Sequence, residues 1–325
     1  MSRKIKWGVL GTASIADWGT LPAMKEAEGC ELYAIAGRDE RKVKSYQEKH
    51  GFTKCYVGYE ALLQDSEVQA VYIPLPNALH DQWVMRAIEA GKHVLCEKPL
   101  AMNEKEAEEM FRAAEKKGVL LAEAYAYLHS PYIAALQADI ASGKIGEVDY
   151  IETAFLSQGY KEDIRLNKEL GGGAMYDLGC YCTTMILSLV DACPSNVRAM
   201  AELNEDGIDL MTSGMILFEN GVRATFDAGM ILGTNSNARM DRLYIHGSKG
   251  CIKSSVEYNQ EGELAYTLIS EGEVEERKVE ARNNYSLEFE QMNRCILGEE
   301  KPRITAEFSM KNAKVMDAVL KEIIR

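Results

Sequence analysis

The sequence predicts two domains of different class: an α/β domain with a parallel sheet over residues 1–124, and an α+β domain with an open, mostly antiparallel sheet over residues 125–325. Three observations carry this. Short apolar strands alternate with helical patterns through residues 5–122, the pattern of right-handed βαβ units. After a helix at Pro131–Ser142 the rhythm changes to successive strands joined by short turns, which indicates antiparallel pairing. A glycine-containing turn also follows the first strand directly and opens the first helix.

Taken in order, Ile5–Leu10 is the first strand, and a helix starts near Ser14 and runs towards Met24. Leu32–Ala36 is the second strand, followed by a charged helix at Glu40–His50. Strands at Cys55–Val57, Ala70–Ile73, His93–Cys96 and Val119–Ala122 are separated by helices at Tyr59–Gln64, Asp81–Ala90 and Asn103–Lys117. Asn103 with Glu106 three residues later makes an N-cap and capping box. In the second half, Val148–Phe155 is a strand, and Gly171-Gly172-Gly173 leads into a helix ending about Val190. Strands follow at Val197–Leu203, Leu210–Phe218, Val222–Ala228, Arg239–His246, Gly250–Val256, Leu264–Ile269 and Val274–Val279. Glu219-Asn220-Gly221 and Gly247-Ser248-Lys249-Gly250 suit hairpin turns. Helices at Ser286–Leu297 and Phe308–Ile324 close the chain and could pack on either domain.

Hydrophobic residues at 46% and charged ones at 27% are those of a soluble globular protein. A net charge of -13 argues against nucleic acid or an anionic membrane as partner, since both need a positive face. No apolar run reaches the ~20 residues of a membrane helix. Met1 to Lys4 runs straight into a strand, so no signal peptide is expected and the location expected is the cytoplasm. The eight cysteines are scattered, as reduced thiols would be. Cys180-Tyr181-Cys182 lacks a second pair at metal spacing, so no metal site is expected.

The turn Gly11-Thr12-Ala13-Ser14-Ile15-Ala16 has the parts a Rossmann dinucleotide site needs. Gly11 suits the tight turn and Ala16 the approach of helix to sheet, while Ala13 stands where a second glycine is usual. The helix start offers unpaired N–H groups to a pyrophosphate. At the tip of the second strand, Arg38 precedes Asp39. An arginine there pairs with a 2′-phosphate and a carboxylate with a ribose 2′-OH. This order leans towards NADP(H), with NAD(H) possible.

Lys98 sits just past the strand His93–Cys96, and Tyr181 lies four residues after Asp177 on the helix opened by the glycines. Oxidising an alcohol removes a hydride from carbon as a proton leaves oxygen, so a base must reach that oxygen. A free tyrosine has a pKa of about 10, and an adjacent ammonium favours its phenolate. Tyr181 is therefore the candidate proton acceptor or donor, with Lys98 polarising the substrate oxygen. Asp177 shares a helix face with Tyr181 and either binds a substrate hydroxyl or holds Lys98. Arg165, with Asp163, either hydrogen-bonds the substrate or forms a salt-bridged loop. Asn77 and His80 lie past the strand ending at Ile73, at the edge where cofactors bind; a helix N-cap role is open for His80.

These residues resemble the glucose-fructose oxidoreductase / inositol dehydrogenase / MocA (Gfo/Idh/MocA) family over nearly the whole chain. The resemblance rests on Gly11-Thr12-Ala13, on Pro76-Asn77 with His80, and on Ala90-Gly91-Lys92-His93-Val94-Leu95-Cys96-Glu97-Lys98-Pro99-Leu100. It also rests on Asp163-Ile164-Arg165, Leu170-Gly171-Gly172-Gly173 and Asp177-Leu178-Gly179-Cys180-Tyr181. Tyr181 in place of the histidine of many members is similar to the branch with glucose-fructose oxidoreductase, D-xylose dehydrogenase and dimeric dihydrodiol dehydrogenase, which mostly uses NADP. Leu128-His129 departs from the arginine and aromatic residue that relatives often carry. The resemblance implies that the Pro74–His80 loop lines the nicotinamide side, and that Glu97 touches ribose or the surroundings of Lys98. It implies an oxidoreductase acting on a sugar, cyclic polyol or vicinal diol, paired through the second sheet as a homodimer or, second, a homotetramer. A catalytically silent NAD(P)-sensing regulator and a glycosidase using NAD transiently are the alternatives. Both usually lack one of the residues Lys98 and Tyr181.

Overall fold

The computed structural model describes residues 4–157, 163–231, 240–255, 258 and 260–323. Arg239, Val256 and Ile324, expected at element ends, lie outside them. The chain forms two compact units: residues 1–129 with 283–309, and residues 130–282 with 310–325.

The first unit carries a six-stranded sheet in the order β3-β2-β1-β4-β5-β6. Its strands are β1 (Ile5–Leu10), β2 (Cys30–Gly37), β3 (Lys54–Val57), β4 (Ala70–Ile73), β5 (His93–Glu97) and β6 (Leu121–Ala124). Every pairing is parallel, and the order reverses beside β1, as in a doubly wound dinucleotide fold. The connecting helices are α1 (Leu21–Glu26), α2 (Glu40–His50), α3 (Tyr59–Leu63), α4 (His80–Glu89) and α5 (Glu104–Lys117). The cap expected on α5 is present: Glu106 N–H donates to Asn103 Oδ1 at 3.0 Å, and Glu106 Oε2 accepts from Met102 N–H at 3.0 Å.

Two helix expectations need correcting. The regular helix expected from Ser14 to Met24 contains a π-helical stretch at Ala16–Thr20 before α1. Pro22 has no N–H to give the Trp18 carbonyl, so the α-helical ladder cannot run unbroken there. The strand expected at Val119–Ala122 begins two residues later, at Leu121. Gly118 closes α5 in the left-handed region, and Val119 N–H returns to Ala114 O at 3.1 Å, so Val119 belongs to the helix stop.

Helix α8, numbered after those of the second unit and spanning Asn284–Ile296, belongs to the first unit. A single cut at 124/125 assigned it to the second. The side chains explain the difference: Trp7 Nε1 donates to Asn293 Oδ1 at 2.9 Å inside the core. The Phe289 ring meets Trp7 and Tyr72 edge-on, at 5.1 and 5.5 Å between centroids. Each such pair adds about 1 kcal/mol beyond its buried area.

The second unit carries an eight-stranded sheet in the order β14-β13-β12-β11-β7-β10-β9-β8. Its strands are β7 (Val148–Leu156), β8 (Pro194–Leu203), β9 (Asp209–Phe218), β10 (Arg223–Gly229), β11 (Met240–Gly247), β12 (Gly250–Ser254), β13 (Gly262–Ser270) and β14 (Glu273–Ala281). Only the β7–β10 pairing is parallel among these, so the sheet is mostly antiparallel. Helices α6 (Pro131–Ala141) and α7 (Cys180–Leu189) pack on it, and α9 (Ala306–Ile323) spans the last boundary between units. Along β9, Ile216 and Phe218 are buried while Met215 and Leu217 are exposed. One face of the sheet is therefore core and the other is open. No helix among the described residues is long and apolar enough to cross a membrane.

Candidate active site

In the first unit the predicted cofactor residues gather at the carboxyl ends of β1, β2, β4 and β5. Gly11 has φ +126°, a conformation that favours glycine, and a side chain there would press on Leu75 Cδ2 from 3.0 Å. Thr12, Ala13, Ser14 and Ile15 follow it and keep accessible surface. Ala13 O accepts the Tyr46 hydroxyl at 3.3 Å and Asp17 N–H at 3.2 Å. Pro74 is buried beside this turn, its carbonyl 3.7 Å from the position a Gly11 side chain would take.

Arg38 and Asp39 separate clearly in role. Asp39 caps α2, accepting Lys42 N–H at 2.9 Å, which commits one of its oxygens to its own helix. Arg38 projects beyond β2 with its surface exposed, and its charge reaches the Tyr59 hydroxyl.

Lys98 is the first residue after β5 and is half-buried. Glu97 accepts the Tyr72 hydroxyl at 2.5 Å. Leu100 N–H donates to the buried Glu123 at 2.8 Å, and Lys98 partly offsets the burial that raises the Glu123 pKa. Asn77 opens a short 3₁₀ turn, Asn77–Leu79, after β4.

His80 corrects the sequence reading. It was expected to touch the cofactor or cap the helix, and it does neither. It has no exposed surface, both ring nitrogens face backbone carbonyls, and Leu79 holds the N-cap position. His129, in the segment that departs from relatives, is also buried. Burial, then Arg303 and Arg294, push its pKa down to about 3.

In the second unit, Asp177 and Tyr181 share one face of the helical segment opened by the glycines. The helix expected there begins with a π-helical stretch, Met175–Gly179, and continues as α7. Almost every α7 side chain is buried; Tyr181 and Ser188 are the partial exceptions. Gly173 has φ +132°, and a side chain on it would begin 2.2 Å from Asp209 Oδ1. Asp209 in turn accepts Met175 N–H at 2.6 Å and the Thr212 hydroxyl at 2.8 Å. A buried carboxylate thus pins the first turn, and burial raises its own pKa to about 6.

Arg165 and Asp177 are brought together. Arg165 Nε donates to Asp177 Oδ2 at 2.7 Å, and Arg165 Nη1 donates to Asp163 Oδ2 at 2.9 Å. The Arg165 carbonyl accepts Gly173 N–H at 2.9 Å, tying this loop to the glycine turn. The Tyr181 ring rests against Phe155 and Tyr258, with centroids 5.4 and 5.2 Å away, and those two stack on each other at 4.8 Å. Sequence reading missed Tyr258, Phe155 and Asp209 as supports. Tyr258 is far along the chain and follows a polar stretch, so no local pattern marks it.

Residues 5–125 match the oxidoreductase family GFO_IDH_MocA, with its NAD-binding Rossmann fold, and residues 133–253 match the GFO/IDH/MocA C-terminal domain. A D-xylose 1-dehydrogenase (NADP(+)) from Haloferax volcanii is 32% identical, covering 96% of this chain and 95% of its own. This chain belongs to the Gfo/Idh/MocA family. A trans-1,2-dihydrobenzene-1,2-diol dehydrogenase from Xenopus tropicalis is 33% identical over 76% of this chain and 74% of its own. The crystal structure of KijD10, a 3-ketoreductase from Actinomadura kijaniata in complex with NADP and TDP-benzene, superposes with a TM-score of 0.92. It is 30% identical and covers 99% of this chain and 98% of its own. As a Gfo/Idh/MocA member the protein is an NAD(P)-dependent oxidoreductase. Its residues fit that cofactor: Gly11 keeps the turn after β1 free of a side chain, and an exposed guanidinium, Arg38, follows β2.

Proposed function

We propose that this family member is an NADP-preferring oxidoreductase of a sugar, cyclic polyol or related vicinal diol. The observation that carries the cofactor preference lies at the tip of β2: Asp39 gives one carboxyl oxygen to its helix cap, while the exposed Arg38 takes no part in the cap. The names of the relatives, a xylose dehydrogenase using NADP(+), a dihydrodiol dehydrogenase and a sugar-nucleotide reductase, support the substrate class.

The nicotinamide, when bound, gives or takes the hydride. Gly11 to Ile15, Arg38, Asn77 and Glu97 hold the cofactor. Tyr181 is the group that exchanges a proton with substrate, and Lys98 is the ammonium that polarises a substrate oxygen. The aromatic wall of Phe155 and Tyr258 limits the directions the Tyr181 ring can take. Asp177 and Arg165, held by their mutual bond, offer a carboxylate and a guanidinium to substrate hydroxyls. Cofactor binding belongs to the first unit, and substrate binding and subunit pairing to the second, with its eight-stranded sheet.

Two copies pair through the open sheet face, where Met200, Met215 and Leu217 are exposed; a homodimer is the first expectation and a homotetramer the second. The cytoplasm suits the eight free cysteines.

The test is nicotinamide absorbance with purified protein, NADP and NAD each offered with aldoses, inositols and trans-diols. Turnover favouring NADP with one of these supports the reading. Cofactor binding without turnover on any of them removes it in favour of a sensor, or of a redox glycosidase if a glycoside is then cleaved.

A further inference from the structure

Two loops flank the cofactor edge of the first unit. One follows β4 and carries Leu75 and Asn77; the other follows β5 and carries Lys98, Pro99 and Leu100. A single buried side chain spans them. His80 opens α4 with no exposed surface; its Nδ1 lies 2.8 Å from Pro99 O and its Nε2 2.8 Å from Leu75 O. Both oxygens can only accept, so each contact needs an N–H on the ring. Neutral imidazole has one and imidazolium has two. One neutral tautomer holds Pro99 and turns a lone pair on Leu75, and the other does the reverse.

We propose that His80 is a positioning residue, a proton-dependent clasp between the cofactor-side loop at Leu75 and the lysine loop at Pro99. It holds both loops as imidazolium and one as imidazole. On the far side of the lysine loop, Glu123 accepts Leu100 N–H at 2.8 Å, so Lys98 hangs from a segment fastened on two sides. A change at His80 is then transmitted to Lys98 and to the Asn77 loop together.

The charges around the ring set when the clasp opens. Lys98, after β5, disfavours the imidazolium, and burial does so more strongly; the Pro99 and Leu75 carbonyls favour it. The net direction is a lowered pKa. Asp81, next on α4, interacts with Glu106 and Glu109 of α5, and Tyr72 of β4 with Glu97 of β5. Both arms therefore close on the acid side, and one lets go as pH rises.

The inference rests on the proposed role of Lys98, but the clasp is a property of the protein without substrate and is tested there. The ring nitrogens of His80 are followed by ¹⁵N NMR from about pH 8 down to the lowest pH at which the protein stays folded. The expected result is N–H on both nitrogens at the acid end and loss of one proton on raising pH. The backbone amide signals of Leu75 and Asn77, or of Lys98 and Leu100, should shift with the same midpoint. His80→Phe should abolish that shift and weaken NADPH binding about tenfold, the cost of a lost hydrogen bond. His80→Gln, whose amide still donates, should recover most of the affinity. One neutral tautomer at every pH, or loop signals indifferent to the His80 titration, would overturn the clasp. Should His80→Phe fail to fold, the wild-type titration and His80→Gln decide. Absence of sugar turnover would count against the proposed activity and leave the NMR result standing.

Discussion

Arg165 Nε donates to Asp177 Oδ2 at 2.7 Å, so the carboxylate one helical turn before Tyr181 is oriented by the loop that precedes the glycine turn. The pair is partly exposed, with a third of the Arg165 side chain in solvent, which limits its share of stability to about 1 kcal/mol or less. Its value is in placement. Arg165→Ala should raise KM for the substrate and leave NADPH affinity unchanged. Combining it with Asp177→Asn should cost less than the sum of the two. Strict additivity would mean the two side chains act independently.

Arg38 and Asp39 make opposite offers to the ribose, and only Arg38 is uncommitted to a helix cap. Arg38→Ala should weaken NADPH binding at least about tenfold through loss of a charge-assisted bond to phosphate, with little effect on NADH. Protein fluorescence quenching by each nucleotide measures this. Equal losses would end the NADP assignment.

Glu288, on α8, is buried, and neither carboxyl oxygen has a hydrogen-bond partner among the described residues. Burial first, and the charge of Glu97 second, raise its pKa well above the ordinary value of 4.5. His129 Nε2 stands 4.0 Å from Glu288 Oε1. Since burial drives that imidazole and this acid each to its neutral form, we read the contact as a neutral pair, not a salt bridge. The folded state therefore holds a proton that the unfolded chain releases, and stability falls as pH rises past 4.5. Glu288→Gln should raise Tm relative to wild type at about pH 8, and the gain should shrink towards about pH 4. A difference that is the same at both pH values would contradict this.

Gly173 is closed to any side chain by φ +132° and by Asp209. Gly173→Ala should lower stability by about 1–3 kcal/mol, read by urea unfolding. Adding Asp209→Ala should not restore it, because Asp209 also accepts Met175 N–H and the Thr212 hydroxyl. Unchanged stability in the single variant would show that the turn can be rebuilt.

How far the sequence could be read depended on how local each cause is. β1, α2 and β4 have the bounds expected of them, because apolar runs and the Asp39 cap are written in adjacent residues. The parallel and antiparallel halves follow from whether helices or short turns separate strands. The π-helical stretches at Ala16–Thr20 and Met175–Gly179 could not be read, since a one-residue change of helix register leaves the apolar spacing nearly intact. The placing of α8 depends on Trp7 meeting Asn293 across 286 residues. The placing of Lys98 just past β5, and of Asp177 and Tyr181 on one helical segment, was legible from type and spacing. His80 was misjudged because a histidine at a strand tip looks the same in sequence whether it faces a ligand or two carbonyls. Phe155, Tyr258 and Asp209 support the site through contacts that no local motif encodes.

We propose that Lys98 and Tyr181 each serve the proton chemistry that accompanies hydride transfer. The most direct measurement is turnover by Lys98→Ala and Tyr181→Phe, each first shown to be folded and to bind NADPH, on the substrate that the wild-type protein oxidises or reduces. We predict a fall in kcat of at least about a hundredfold in each, the scale of positioned acid–base catalysis. Wild-type turnover in either variant would contradict the account.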